Sequence, residues 1–235
     1  MLVVNSISYV TNPALFKEAT YDLKKDFTAI ALAALTSQVL CVHPSLPVQT
    51  VKELVALIKA NGGKYSYASP GFGTAGSMTG ELFRTSLGLD LVQVPFNGAG
   101  PAIESTVAGH TLIAFSSPAA AAPQITAGRL RGLAVAAKAR LPALPDVPTM
   151  PEAGFPEIEC NVWETVLVPT GTPSDIVRQL NREIATIVEL PDFAMRLAEF
   201  GFTPFQSTPD EAAGRLAPET EKWAKVIQAA GIKPE

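Results

Sequence analysis

Residues 65–101 read YSYASPGFGTAGSMTGELFRTSLGLDLVQVPFNGAGP, and the order of patterns in this stretch decides the fold. Tyr65 to Ala68 is short and rich in β-formers, and it runs into the loop Ser69-Pro70-Gly71-Phe72-Gly73. A helical pattern follows from about Thr74 to Leu87. The strand-like run Leu91 to Phe96 then meets the turn Asn97-Gly98-Ala99-Gly100, and Pro101, a favoured first-turn proline, opens another helix. Working outward, Thr50-Val51-Lys52-Glu53 upstream is a capping box. Val51, Leu54, Val55 and Ile58 then mark one face of a helix that stops at Gly62-Gly63. Downstream come strand Thr111 to Phe115, Ser116-Ser117-Pro118, an alanine-rich helix, and strand Arg131 to Ala136. Repeated strand–helix units of this kind predict an α/β protein with a parallel sheet covered by helices.

Beyond this core the proline-rich segment Leu141 to Pro156 reads as an ordered extended connection or a linker. A second apolar run, Val162 to Val168, follows it. Helices are then expected from Thr172-Pro173 to about Glu189, from Asp192 to Phe200, and from Pro209 to near Ala230. No internal repeat or low-complexity tract is present.

A chain of 235 residues can form two lobes or one large domain, and 47% hydrophobic with 17% charged residues describes a folded globular protein. The net charge of -4 is spread along the chain, which leaves no basic patch for nucleic acid. The apolar stretch Phe27 to Val42 is broken by Thr36, Ser37 and Gln38, short of a membrane span. Met1 to Ser6 lacks the positive region and cleavage site of a signal peptide. Cys41 and Cys160 form neither a disulfide scaffold nor a metal-ligand spacing.

Three successive strands end in small polar loops that open helices: Ser69 to Thr74, Asn97 to Gly100, and Ser116-Ser117. In a parallel sheet these loops share one edge, where helix N-termini offer free N–H groups and a partial positive charge suited to a carboxylate. Taken one at a time, the same residues are ordinary turn and cap residues. Gly71-Phe72-Gly73-Thr74-Ala75-Gly76 also matches the dinucleotide pattern G-x-G-x-x-G, which favours a nucleotide-dependent enzyme. That pattern expects an acid at the end of the next strand, where this chain has Phe96-Asn97. His43 and His110 stand beside no cysteine or serine motif and read as structural residues. Glu157 and Glu159 read as a solvated face, and Trp163 and Phe72 could stack on a ligand or fill the core.

Further stretches carry a resemblance. They are Asn12-Pro13-Ala14-Leu15, Val42-His43-Pro44-Ser45-Leu46-Pro47, Tyr67-Ala68-Ser69 with Gly71 to Thr74, Gly80-Glu81-Leu82-Phe83, Val94-Pro95-Phe96, Leu144-Pro145-Asp146-Val147-Pro148-Thr149, Gly171-Thr172-Pro173 and Lys222-Trp223. In these the chain resembles the substrate-binding proteins of tripartite tricarboxylate transporters, the Bug or TctC-like receptors, over essentially its whole length.

The resemblance implies a type II periplasmic-binding-protein-like fold, with two α/β lobes joined by two crossover strands. Residues 1–38 and 161–235 would form a first, incomplete lobe, and residues 39–160 a complete second lobe. It implies a small organic carboxylate as ligand, transporter membrane subunits as partners and a periplasmic location. No enzyme activity, cofactor or metal is expected. Carried over by position, Ser69, Gly71, Gly73 and Thr74 bind carboxylate in the second lobe, with Asn97, Gly98, Ala99, Ser116 and Ser117 beside them. Ser6 and Ser8 reach the ligand from the first lobe.

There are departures from the family pattern. A frequent histidine is Ser77 here, a tyrosine and a lysine are Phe96 and Asn97, and a common aspartate is Ser116, which argues against a ligand bearing an amino group. The family's opening strand and glycine-rich loop have no counterpart ahead of Met1. The strand at Met1 to Asn5 is therefore expected to be an open edge, and the chain to self-associate as a homo-oligomer through it. The crossover strands run side by side in that fold, so Cys41 and Cys160 are expected within reach of a disulfide.

Overall fold

The computed structural model describes residues 1–17, 21–22 and 25–233. Its first half runs β1 (Leu2–Asn5), α1 (Ser6–Leu15), β2 (Phe27–Thr36), β3 (Val39–Val42), α2 (Val51–Ala60), β4 (Tyr65–Ser69), α3 (Ala75–Ser86) and β5 (Leu91–Pro95). There follow α4 (Ala99–Val107), β6 (Ile113–Ser116), α5 (Pro118–Thr126), β7 (Arg131–Val135) and β8 (Val162–Pro169). The chain ends with α6 (Ser174–Val188), α7 (Pro191–Glu199), β9 (Thr203–Pro204) and α8 (Pro209–Ala230). It divides into two compact units: unit 1 is Met1–Thr36 with Val162–Glu235, and unit 2 is Ser37–Asn161. The backbone passes from one unit to the other twice.

Unit 1 holds an antiparallel sheet in the order β1-β8-β2-β9. Its longest strand, β2, is the alanine-rich run FTAIALAALT, whose composition suits a helix as well as a strand. Burial on both faces decides, since a strand covered twice needs no alternation of polar residues. On one face Ile30, Ala31, Val166 and Val168 meet Val177, Leu180 and Ile184 of α6. Helices α1 and α8 pack against β8, β2 and each other. On α8 the buried Trp223 donates its indole N–H to Glu219 at 2.7 Å, so its polar edge is satisfied. Capping fixes where these helices start. Asn5 Oδ1 accepts from the backbone N–H of Ile7 at 3.1 Å, and Thr208 and Glu211 form a capping box.

Unit 2 holds a five-stranded sheet in the order β5-β4-β6-β3-β7. Strands β4, β5 and β6 are parallel neighbours, but β3 runs antiparallel to both β6 and β7, so the sheet is mixed and the wholly parallel expectation is corrected. The cause is entry: β3 is fed from unit 1 and not through a strand–helix crossover, so the right-handed crossover rule does not bind it. On one face Tyr67 and Phe83 flank Phe115, each with ring centroids 5.5 Å from it. Gly80 permits this, because a methyl group there would overlap the Tyr67 ring. The other face is built from smaller side chains, including Ala68, Ala102, Ile103, Ala114, Ala121 and Leu130.

The proline-rich segment is ordered. Val135 N–H donates to Pro148 O at 2.9 Å and Met150 N–H to Val135 O at 2.8 Å, while Leu144, Val147 and Met150 are buried. Glu152 accepts from the Thr149 N–H and pairs with Arg140, which hold its carboxyl below the ordinary range. No disulfide joins Cys41 and Cys160, both of which are buried. Their sulfurs face different carbonyls, Ala114 for Cys41 and Ala75 for Cys160, and burial pushes the Cys41 thiol up to about 12.

Candidate ligand site

Because β5, β4 and β6 are adjacent and parallel, the loops that follow them leave the same edge of the unit 2 sheet. The first two loops are tied together by backbone bonds: Phe96 N–H donates to Ser69 O at 2.9 Å and Gly98 N–H to Pro70 O at 3.0 Å. Gly71 has φ +129, and a Cβ there would stand 3.3 Å from Phe96 O. Gly76, on the first turn of α3, lets the helix approach so closely that a Cβ would stand 2.6 Å from Phe115 O. The three glycines of the G-x-G-x-x-G string thus serve turn geometry and helix–strand packing, and β5 ends in Pro95 with no acid to hold a ribose.

Three helices, α3, α4 and α5, start at this edge. Thr74 caps α3 by accepting from Ser77 N–H at 3.4 Å, and it donates its own hydrogen to Gly71 O at 2.7 Å. Its hydroxyl is therefore committed to the shape of the loop. Helices α4 and α5 have no side-chain cap, at Gly98 and Ser117 respectively. None of the three carries an acidic residue in its first turn, whereas α2, α6, α7 and α8 each carry at least one. Segments 69–76, 96–101 and 116–122 contain no charged residue at all. The edge is thus positive only through its N–H groups and helix dipoles, which favours an anion and offers nothing to a cation.

The expected residues separate by depth. Asn97 is exposed, and Gly71, Thr74, Gly98, Ala99 and Ser117 are partly exposed, so they form the accessible rim. Gly73, with φ +70, is buried in the turn. Ser69 and Ser116 are fully buried one layer beneath, and Ser116 Oγ has no hydrogen-bond partner among the described residues. Phe72, half-exposed between two glycines with positive φ, stands on the rim.

Residue reading overlooked the layer that supports the loop. Gln93 of β5 donates its side-chain amide to Ser69 Oγ at 2.7 Å and to Ser77 Oγ at 3.0 Å. A lone amide inside the apolar run Leu91-Val92-Gln93-Val94-Pro95 was the available signal. Below it the buried Tyr67 hydroxyl donates to Glu81 at 2.8 Å, and Glu81 in turn accepts from Arg84. Burial and then the Glu81 charge push the Tyr67 hydroxyl far above its ordinary value. His43 bonds Ser45 in a turn remote in sequence from the three loops.

In unit 1 the two expected serines differ. Ser6 is buried and its Oγ accepts from Trp163 N–H at 3.0 Å. Ser8 instead lines a cavity of about 440 Å³ together with Leu2, Val4, Asn5, Tyr9 and Asn12. Glu164 is opposite Asn5 in the sheet, and burial raises its carboxyl pKa against the lowering effect of the Asn5 side chain. Among the described residues no cluster of three or more His, Cys, Asp or Glu could hold a metal ion, and no helix is long and apolar enough to cross a membrane.

Two units joined by two crossings, with helix N-termini gathered at one sheet edge, define a periplasmic-binding-protein-like receptor fold. The family model described as "Tripartite tricarboxylate transporter family receptor" matches residues 1–232, and the chain belongs to that family. Among curated relatives, a Pseudomonas protein from a tcbD-tcbE intergenic region is 33% identical over 227 residues, covering 96% of this chain and 68% of its own length. Protein BugT of Bordetella pertussis is 29% identical over 233 residues, 99% of this chain and 72% of its own length.

Solved structures agree. R. palustris Rpa4515 with adipate has a TM-score of 0.86 at 31% identity, covering 99% of this chain and 78% of that one. MatC of Rhodopseudomonas palustris with bound malate has a TM-score of 0.82 at 28% identity, covering 96% and 78%. The periplasmic binding protein BugD has a TM-score of 0.84 at 26% identity, covering 100% of this chain and 79% of that one.

Proposed function

We propose that this chain is a periplasmic solute-binding receptor that captures a small organic carboxylate and presents it to the membrane subunits of a tripartite tricarboxylate transporter. The observation that carries this reading is the shared edge of unit 2, where α3, α4 and α5 begin with no first-turn acid and no charged residue in their loops. A carboxylate there is held by Ala75, Gly76, Ala99, Gly100 and Ala119 N–H groups of the first turns, with Asn97 and Ser117 at the rim. Ser69 and Ser116 support the strand ends from beneath. The adipate and malate bound by the two neighbours are the natural probes.

The half-exposed Phe72 on the rim favours a ligand whose body is apolar, since covering the ring removes apolar surface from water. The β1 edge, where Leu2 and Val3 are exposed and β8 is the only paired strand among the described residues, supports self-association as a second property of the chain. Calorimetric titration with adipate, malate, the neutral adipamide and NAD, read together with Tm, tests the main reading. A carboxylate that binds and raises Tm where adipamide and NAD do not is the expected result. Binding of NAD alone would overturn it.

A further inference from the structure

Gln93 stands in β5 directly opposite Tyr67 of β4, so its side chain lies on the sheet face covered by α3. From there one amide nitrogen reaches two hydroxyls, Ser69 Oγ at 2.7 Å and Ser77 Oγ at 3.0 Å. An amide nitrogen has two hydrogens, and both are used. Ser69 is the last residue of β4 and Ser77 lies in the first turn of α3, so the two bonds fasten both ends of the glycine loop to a third element. That third element is also the strand that leads into the second loop, whose Phe96 N–H and Gly98 N–H bond back to Ser69 O and Pro70 O. Ser69 and Ser77 are 0% and 1% exposed, so the acceptor end of each bond is shielded from bulk water.

Between these ends Pro70 O accepts from Gly98 N–H, and the side chains of the loop itself add little to hold it. Gly71, Gly73 and Gly76 contribute no side chains, Phe72 is half-exposed, and the Thr74 hydroxyl bonds only within the loop and its helix. Glycine-rich backbone loses the most entropy when fixed, and an array of N–H groups binds an anion well only when it is already in place. We infer that Gln93 is the positioning residue of the site: by bridging Ser69 and Ser77 it sets the angle between β4 and α3 and pre-organises the loop N–H groups for the ligand. This rests on the carboxylate reading for its purpose, but the bridge itself is a property of the free protein. Nothing else on β5 can replace it, because Val92 is exposed on the other face and Val94 is apolar.

Two substitutions separate the possibilities. Gln93→Met keeps the length of the side chain and removes the bridge, whereas Gln93→Glu restores it in reverse, with the serine hydroxyls donating to the carboxylate. Amide hydrogen exchange over residues 71–77 is measured in the free protein, and affinities for adipate and malate are measured by calorimetry. In Gln93→Met exchange in this segment should rise by about tenfold or more while α2 and unit 1 are unchanged, and affinity should fall by about tenfold, the scale of one or two lost buried hydrogen bonds. In Gln93→Glu exchange should stay close to wild type.

Unchanged exchange over residues 71–77 in Gln93→Met overturns the inference whatever the ligand proves to be. Raised exchange with undiminished affinity for a carboxylate that the wild type binds overturns it as well. A wild type that binds neither adipate nor malate overturns the carboxylate reading, and the exchange comparison then decides the bridge by itself.

Discussion

Phe72 is half-exposed between Gly71 and Gly73, so cutting it back removes little packing. Phe72→Ala should therefore leave Tm within a degree or so and weaken binding of an apolar-bodied carboxylate by about 1–2 kcal/mol, the value of covering that ring, as calorimetry will show. Glu164 tests a charge in the other unit. Its folded pKa is raised by burial, so the native state holds a proton that the unfolded chain releases. The stability linked to this group is present below the ordinary carboxyl value and is lost as pH rises through the raised one. Glu164→Gln keeps a polar group opposite Asn5 and removes the buried charge. It should raise Tm at pH 8 and leave it unchanged at pH 4, which thermal melts at the two pH values check.

The helix start is the unit on which the proposed ligand site is built, and it can be altered without disturbing the fold. Gly100, in the first turn of α4, has no atom within 4 Å of where a Cβ would lie. Gly100→Glu should stabilise the protein by about 1 kcal/mol, through helix propensity and the dipole, yet abolish measurable carboxylate binding by filling the positive end with its own anion. A variant with higher Tm and intact affinity would show that α4 does not face the ligand. Element starts of this kind were legible in the sequence where a local signal fixed them. Thr50 with Glu53 opens α2, and Pro209 with Glu211 opens α8. What was not legible depended on partners distant in the chain. Helix α1 begins in Asn5-Ser6 and contains Pro13, which masks it, and β2 is a strand only because two layers cover it. In the candidate site, the placement of the glycine loop and Ser117 at one sheet edge could be read from spacing. The burial of Ser69 and Ser116 and the bridge from Gln93 could not, since each is a consequence of strand pairing.

At the level of the molecule, β1, which pairs only with β8 among the described residues, has no Lys, no proline and no bulge to discourage pairing with a second copy. On the self-association proposed for this edge, Val3→Lys should shift sedimentation velocity profiles toward monomer with little change in Tm, because Val3 is 61% exposed. The double passage of the backbone between units has a different consequence, for the route by which the chain folds. Register pairs such as Phe27 with Pro169 in unit 1 can form only by closing a loop that contains the whole of unit 2. A disordered loop of that size raises the entropic barrier to closure, whereas a collapsed unit 2 brings its own ends together and shortens the search. Unit 2 is therefore expected to gain exchange protection first in pulse-labelled refolding. Both tryptophans, Trp163 and Trp223, lie in unit 1, so refolding followed by their fluorescence will report the second event and be silent to the first.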